Sequence, residues 1–166
     1  MVIDPTASVE VEGNDTYAAL TVQTGTGEAG IVSSGQVKAT GDGANGLYVS
    51  LSNPDHAADA YAHVQGGQVQ VSGRNARGVL VRSPGTSRLQ ATVAAGATVQ
   101  VSGADAMGVE VSHRVSWSVG MPIPPLAPDA MAQIDGTVTA RDEFGVGVSA
   151  LTDEGTAMVT IGKDGR

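Results

Sequence analysis

The chain of 166 residues carries 9 Lys and Arg against 17 Asp and Glu, a formal net charge of −8, which argues against nucleic acid or an anionic membrane as partner, since both reward clustered cations. With 3% aromatic residues, 41% hydrophobic residues and 23 glycines, any core must come from Val, Ala, Leu and Ile in short strands, because a glycine inside a helix costs about 1 kcal/mol relative to alanine. The absence of cysteine excludes a disulfide framework and thiolate metal sites, and no stretch approaches the roughly 18 apolar residues of a membrane span.

In chain order, Met1 to Pro5 lacks the basic start of a signal peptide, so the expectation is one domain over residues 1–166 that is a segment of a longer protein. A period-two alternation then begins at Val9-Glu-Val11 and returns at Val37, Val69, Val99 and Val138, at intervals of 28, 32, 30 and 39 residues. Alternation of this kind is the signature of a strand with one face buried. Self-similarity at such a period points to a repeat architecture.

Each copy contains three such strands. The first buries Val9/Val11, Val37/Ala39, Val69/Val71, Val99/Val101 and Val138/Ala140. The second is expected to bury Leu47/Val49, Val79/Val81, Val109/Val111 and Val148/Ala150, with Leu20/Val22 in the first copy after one inserted residue. The third is expected to bury Gly30/Val32, Ala62/Val64, Ala91/Val93, Ala132/Ile134 and Val159/Ile161. Three strands repeated in one direction make a triangular coil, and equivalent strands of successive coils stack in parallel, so five coils would span roughly 24 Å. The expected fold is therefore all-β, a right-handed parallel β-helix (β-solenoid) of about five coils of roughly 30 residues. The hand follows from the general preference for right-handed crossovers between parallel strands.

Turns between the first and second strands are short. Gly41, Gly73 and Gly103 open them, with Asp142 in the last copy, and Gly46, Gly78, Gly108 and Gly147 close them; left-handed backbone angles are the expected reason at both ends. The connection after the second strand varies, from 10 residues between Val22 and Val32 to 23 between Val111 and Ile134. The longest, residues 112–129, is a Pro-rich insertion holding the only tryptophan. Insertions gathered on one edge are where repeat proteins often bind, so Arg82, Arg88, His113, Arg114, Trp117, Met121 and Ile123 are the candidate partner-binding residues.

The recurrent strand-Gly-x-x-Ala-x-Gly-strand frame, clearest from Gly67 to Ser83 and from Thr98 to Ser112, resembles the repeats of pertactin-like autotransporter passengers. The resemblance covers roughly Val9 to Ile161. It implies a parallel β-helix at the bacterial cell surface, anchored in the outer membrane through a barrel elsewhere in the full-length protein, with a role in adhesion or immune interaction. The Arg-Gly-Asp adhesive tripeptide known in that family is absent here.

No catalytic constellation emerges, so the chain is not expected to be an enzyme. Gly25-Thr-Gly27-Glu-Ala-Gly30 and Gly41-Asp-Gly43-Ala-Asn-Gly46 match a dinucleotide fingerprint, but a strand follows each where a phosphate site needs a helix N-terminus. No outward face offers the two carboxylates of a glycosidase. His56, His63 and His113 are too scattered for a metal set. The expectation is thus a structural or adhesive module that needs no cofactor. It would meet a protein or glycan on a host or neighbouring cell, bind no nucleic acid, insert in no membrane, and associate end to end. Its rivals are a carbohydrate-active β-helix protein and a phage or secreted fibre segment.

Overall fold

The computed structural model describes residues 1–53, 58–85, 87–113, 129–152 and 155–166. A short strand, β1 (Val2–Ile3), precedes five triplets. The first comprises β2 (Ser8–Glu12), β3 (Tyr17–Gln23) and β4 (Ala29–Ser33), the second β5 (Gln36–Thr40), β6 (Asn45–Leu51) and β7 (Ala60–Val64). The third comprises β8 (Gln68–Ser72), β9 (Arg77–Ser83) and β10 (Leu89–Val93), the fourth β11 (Thr98–Ser102), β12 (Met107–His113) and β13 (Ala130–Ile134). The last comprises β14 (Thr137–Arg141), β15 (Val146–Leu151) and β16 (Ala157–Ile161).

Every third strand stacks. The first sheet runs β2-β5-β8-β11-β14, the second β3-β6-β9-β12-β15, and the third β1-β4-β7-β10-β13-β16. All pairings are parallel, for instance Val69 beside Val37 and Val99, and Val138 beside Val99. The chain is therefore a β-solenoid of about five coils, with no helix among the described residues. β1 starts the third sheet one layer before the first complete coil.

Inward columns fill the prism. Leu47, Val49, Val79, Val81, Val109 and Val111 from the second sheet meet Val37, Val69, Val71, Val99 and Val101 from the first, and Ile31, Ala62, Val64, Ala91, Val93 and Ile134 from the third. Fully burying a Val or Leu side chain contributes about 1.5–3 kcal/mol, so the middle coils carry most of the stability. The last coil has a neighbour on one side only, and Val146, Leu151, Met158, Val159 and Ile161 are exposed.

The first coil departs from expectation. There is no inserted residue: Ala19 pairs with Leu47 and Thr21 with Val49, whereas Leu20 and Val22 point outward and are 43% and 49% exposed. Parity is counted from the corner, not chosen by residue size. Tyr17 aligns with Asn45 through a turn of equal length (13–16 against 41–44), so Ala18 takes the place of Gly46. The same phase carries into β4, where Ala29, Ile31 and Ser33 are buried in place of Gly30 and Val32.

The two glycine rows of the turn have different causes. Gly41, Gly73 and Gly103 adopt φ of +135°, +136° and +118°, and Asp142 follows at +82°, a backbone region in which glycine is unstrained. Gly46, Gly78 and Gly108 have no positive φ; they are required sterically. A β-carbon on Gly46 would run into the Gly78 carbonyl oxygen and Val69 of the next coil, on Gly78 into Gly108 and Val99, and on Gly108 into Gly147 and Val138. Gly147 has open space at the same point.

Candidate functional site

The outer side of the second sheet is not the quiet surface its alternation suggests. Because the register is exact from coil to coil, outward residues form columns along the solenoid axis. Leu20, Tyr48, Leu80, Glu110 and Ser149 make the central one. Tyr17, Asn45, Arg77 and Met107 lie on its turn side, and Val22, Ser50, Arg82 and Ser112 on its other side. A trough of about 650 Å³ lies over these columns from Asn14 and Asp15 in the first coil to Glu110 and Ser112 in the fourth.

Its floor is buried although it faces outward: Tyr48, Leu80 and Glu110 are all at most 6% exposed. The Tyr17 ring meets Tyr48 edge-on at 4.9 Å between centroids. The Arg82 guanidinium stands 5.0 Å from the centroid of the Tyr48 ring, a cation–π geometry. At the far end Arg77 Nε donates to Glu110 Oε2 at 2.8 Å, and Arg77 also donates to the Asn75 carbonyl. This leaves Glu110 as a paired buried charge, which the interior tolerates only with such a partner.

The turn between the first and second sheets forms the trough's rim, and side chains there tie successive coils together. Asn14 Oδ1 accepts from the Asp42 amide, and Asp42 Oδ1 accepts from the Arg74 amide. Asp15, Gly43, Asn75, Asp105 and Phe144 occupy equivalent positions with φ between +53° and +69°; Asp and Asn are the side-chain-bearing residues best suited there. On the trough wall Asn45, 6% exposed, donates from Nδ2 to the Gly43 carbonyl at 2.7 Å, while its Oδ1 has no partner.

The other two outer faces carry simpler ladders. On the first, Lys38 pairs with Glu10 at 2.5 Å and Gln68 and Gln70 both donate to Gln100. The hydrogen bond and charge of Glu10 hold the Lys38 pKa above its ordinary value. On the third, Tyr61 covers Gly30, stacks on His63 at 4.9 Å, and His63 Nδ1 lies 2.6 Å from Thr92 Oγ1. Burial holds the His63 pKa below the ordinary imidazole value. Val32, not Ile31, is the outward residue aligned with His63.

The expected partner-binding residues separate. Arg82 is exposed on β9 and lines the trough; Arg88 is exposed just before β10, away from it. His113 is a correction: it ends β12 on the inward side, aligned with Ser83, and is 1% exposed. Alternation carries inward from Val109 through Val111 to residue 113, so its ring is enclosed. Neither ring nitrogen makes a well-formed hydrogen bond. Burial holds its pKa down, against smaller opposing effects of Ser87, Asp129 and Gly85 nearby. Arg114, Trp117, Met121 and Ile123 lie outside the described residues, as does His56.

Sequence reasoning missed Tyr17, Asn45 and Asn75 as part of a site. Tyr48 stood in an outward position of its strand, but its partner Tyr17 was hidden by the phase of the first coil. Among the described residues no group of three or more His, Asp or Glu side chains could hold a metal ion. Comparison with family models, curated proteins and solved structures gives no match.

Proposed function

We propose that this chain is a non-catalytic structural and adhesive segment of a bacterial autotransporter passenger, extracellular and held at the cell surface, that presents one edge of a β-solenoid to a protein or glycan on a host or neighbouring cell. The observation carrying this reading is the unequal treatment of the three corners. Turns from the first to the second sheet are four residues long in every coil (13–16, 41–44, 73–76, 103–106 and 142–145), whereas those from the second to the third run from 24–28 to 114–129. A scaffold that keeps one corner at four residues, a second at 34–35, 65–67, 94–97 and 135–136, and lets the third lengthen far more is built to display that third edge. The repeat frame's likeness to pertactin-like passengers supports the cellular setting.

Beads coated with the full chain and applied to epithelial cells test the reading. Replacing residues 114–128 with a short Gly-Asn turn should lower adherence about tenfold, a loss of about 1.4 kcal/mol of binding; undiminished adherence would overturn it. The carbohydrate-active alternative draws on Glu110 in the trough. Release of reducing ends from a polysaccharide by the wild-type chain, abolished in Glu110→Gln, would establish that alternative instead.

A further inference from the structure

We infer that the trough over the second sheet binds a short oligosaccharide in which an acidic sugar neighbours neutral ones, lying along the solenoid axis. The inference rests on the adhesive reading and gives it a ligand class. The trough crosses four coils, a reach of about 14 Å at the spacing of adjacent strands. Its floor of Tyr48 and Leu80 is apolar but only 5% and 6% exposed, with the Arg82 guanidinium over the Tyr48 ring, so it lines the trough without offering a stacking platform.

The walls supply the rest. Arg74 and Arg82 make no ion pair among the described residues, in contrast to Arg77, which is committed to Glu110. Both belong to the third coil and stand on opposite sides of the floor. A carboxylate on the ligand is therefore placed at that coil, where guanidinium groups recognise it best. Toward the first coil the rim changes character: the exposed carboxylates of Asp15 and Asp42 line it. These groups reject a second carboxylate and call for hydroxyl donors. Sulfate alone has no such donors, and a uniformly acidic polymer would place charge against Asp15 and Asp42.

An extended acidic peptide fits less well. Peptides that lie along sheets take main-chain hydrogen bonds from an open edge, whereas β6 and β9 are paired on both sides and the trough lies over their face.

The test is titration of the full chain with a tetrasaccharide alternating glucuronate and N-acetylglucosamine, followed by amide chemical shifts. Shifts should localise to the coils bearing Tyr48, Leu80 and Arg82. Carboxyl reduction of the ligand should weaken binding about tenfold, as should Arg82→Ala and Arg74→Ala, each removing one charge-assisted contact. Arg88→Ala, an exposed change outside the trough, should leave it intact. Equal binding of the carboxyl-reduced ligand, no loss in either arginine variant, or tighter binding of hexaglutamate would each overturn the inference. A chain that adheres to cells yet shows no shifts with the oligosaccharide sinks the trough assignment alone. Oligosaccharide binding that survives while removal of residues 114–128 leaves adherence unchanged sinks the edge-display reading alone.

Discussion

His113 is a neutral imidazole enclosed at the end of an inward column, with Asp129 the one acidic group acting on it among the described residues. Its pKa is lowered in the folded chain, while in the unfolded chain it titrates near about 6.5. The unfolded state therefore takes up this proton first as pH falls. The associated stability is complete above about pH 6.5 and is lost progressively as pH drops toward the depressed folded value. His63 shifts in the same direction but is half-open to solvent, which lessens its share. Melting temperature should thus fall between about pH 6.5 and 5 in the wild-type chain and fall less steeply in His113→Leu, with His63→Gln closer to wild type. Parallel slopes for wild type and His113→Leu in a scanning-calorimetry series would refute this account.

At the scale of the element, the corner glycines make the sharpest case. Gly108→Ala forces a β-carbon against the Gly147 carbonyl and Val138, and should destabilise the chain by about 2–3 kcal/mol through overpacking. Gly147→Ala meets nothing and should change stability by less than about 0.5 kcal/mol. Urea denaturation of the two variants side by side checks the difference; equal losses would mean that backbone angle, not coil-to-coil contact, selects glycine there. The same corner explains what could be read from the sequence. Columns such as Val37-Val69-Val99 were plain because alternation, turn length and residue size agree. In the first coil they disagree: Leu20 and Val22 are the larger residues, yet turn length places Ala19 and Thr21 inside. His113 was legible in principle, two positions beyond Val111, but its chemistry suggested a surface role. The trough could not be read, because it depends on which outward residues of four different coils align, and one coil was out of phase.

For the molecule as a whole, the coils form a line in which each touches only its neighbours, so stability is a sum of similar steps. Residues 68–97 constitute one full step, since Gln68 aligns with Thr98 in the ladder. Deleting them should leave a folded, cooperatively melting solenoid of four coils, because β5, β6 and β7 would meet β11, β12 and β13 in the register they now share with β8, β9 and β10. Deleting residues 68–87 should not, since it removes β8 and β9 and joins β7 directly to β10, its parallel neighbour in the same sheet, with no crossover to connect them. Circular dichroism and thermal melts of the two deletions separate the outcomes; two equally folded chains, or two unfolded ones, would contradict the additive picture. The vacancy beside Gly46, Gly78 and Gly108 is in this sense a socket, and the next coil's Val methyl and glycine carbonyl are the plug that fills it. Socket and plug are the same from coil to coil, so the length of the rod can change by whole coils while its cross-section and its displayed edge stay as they are. Such a chain can vary how far its binding surface stands from its base without redesigning the surface itself.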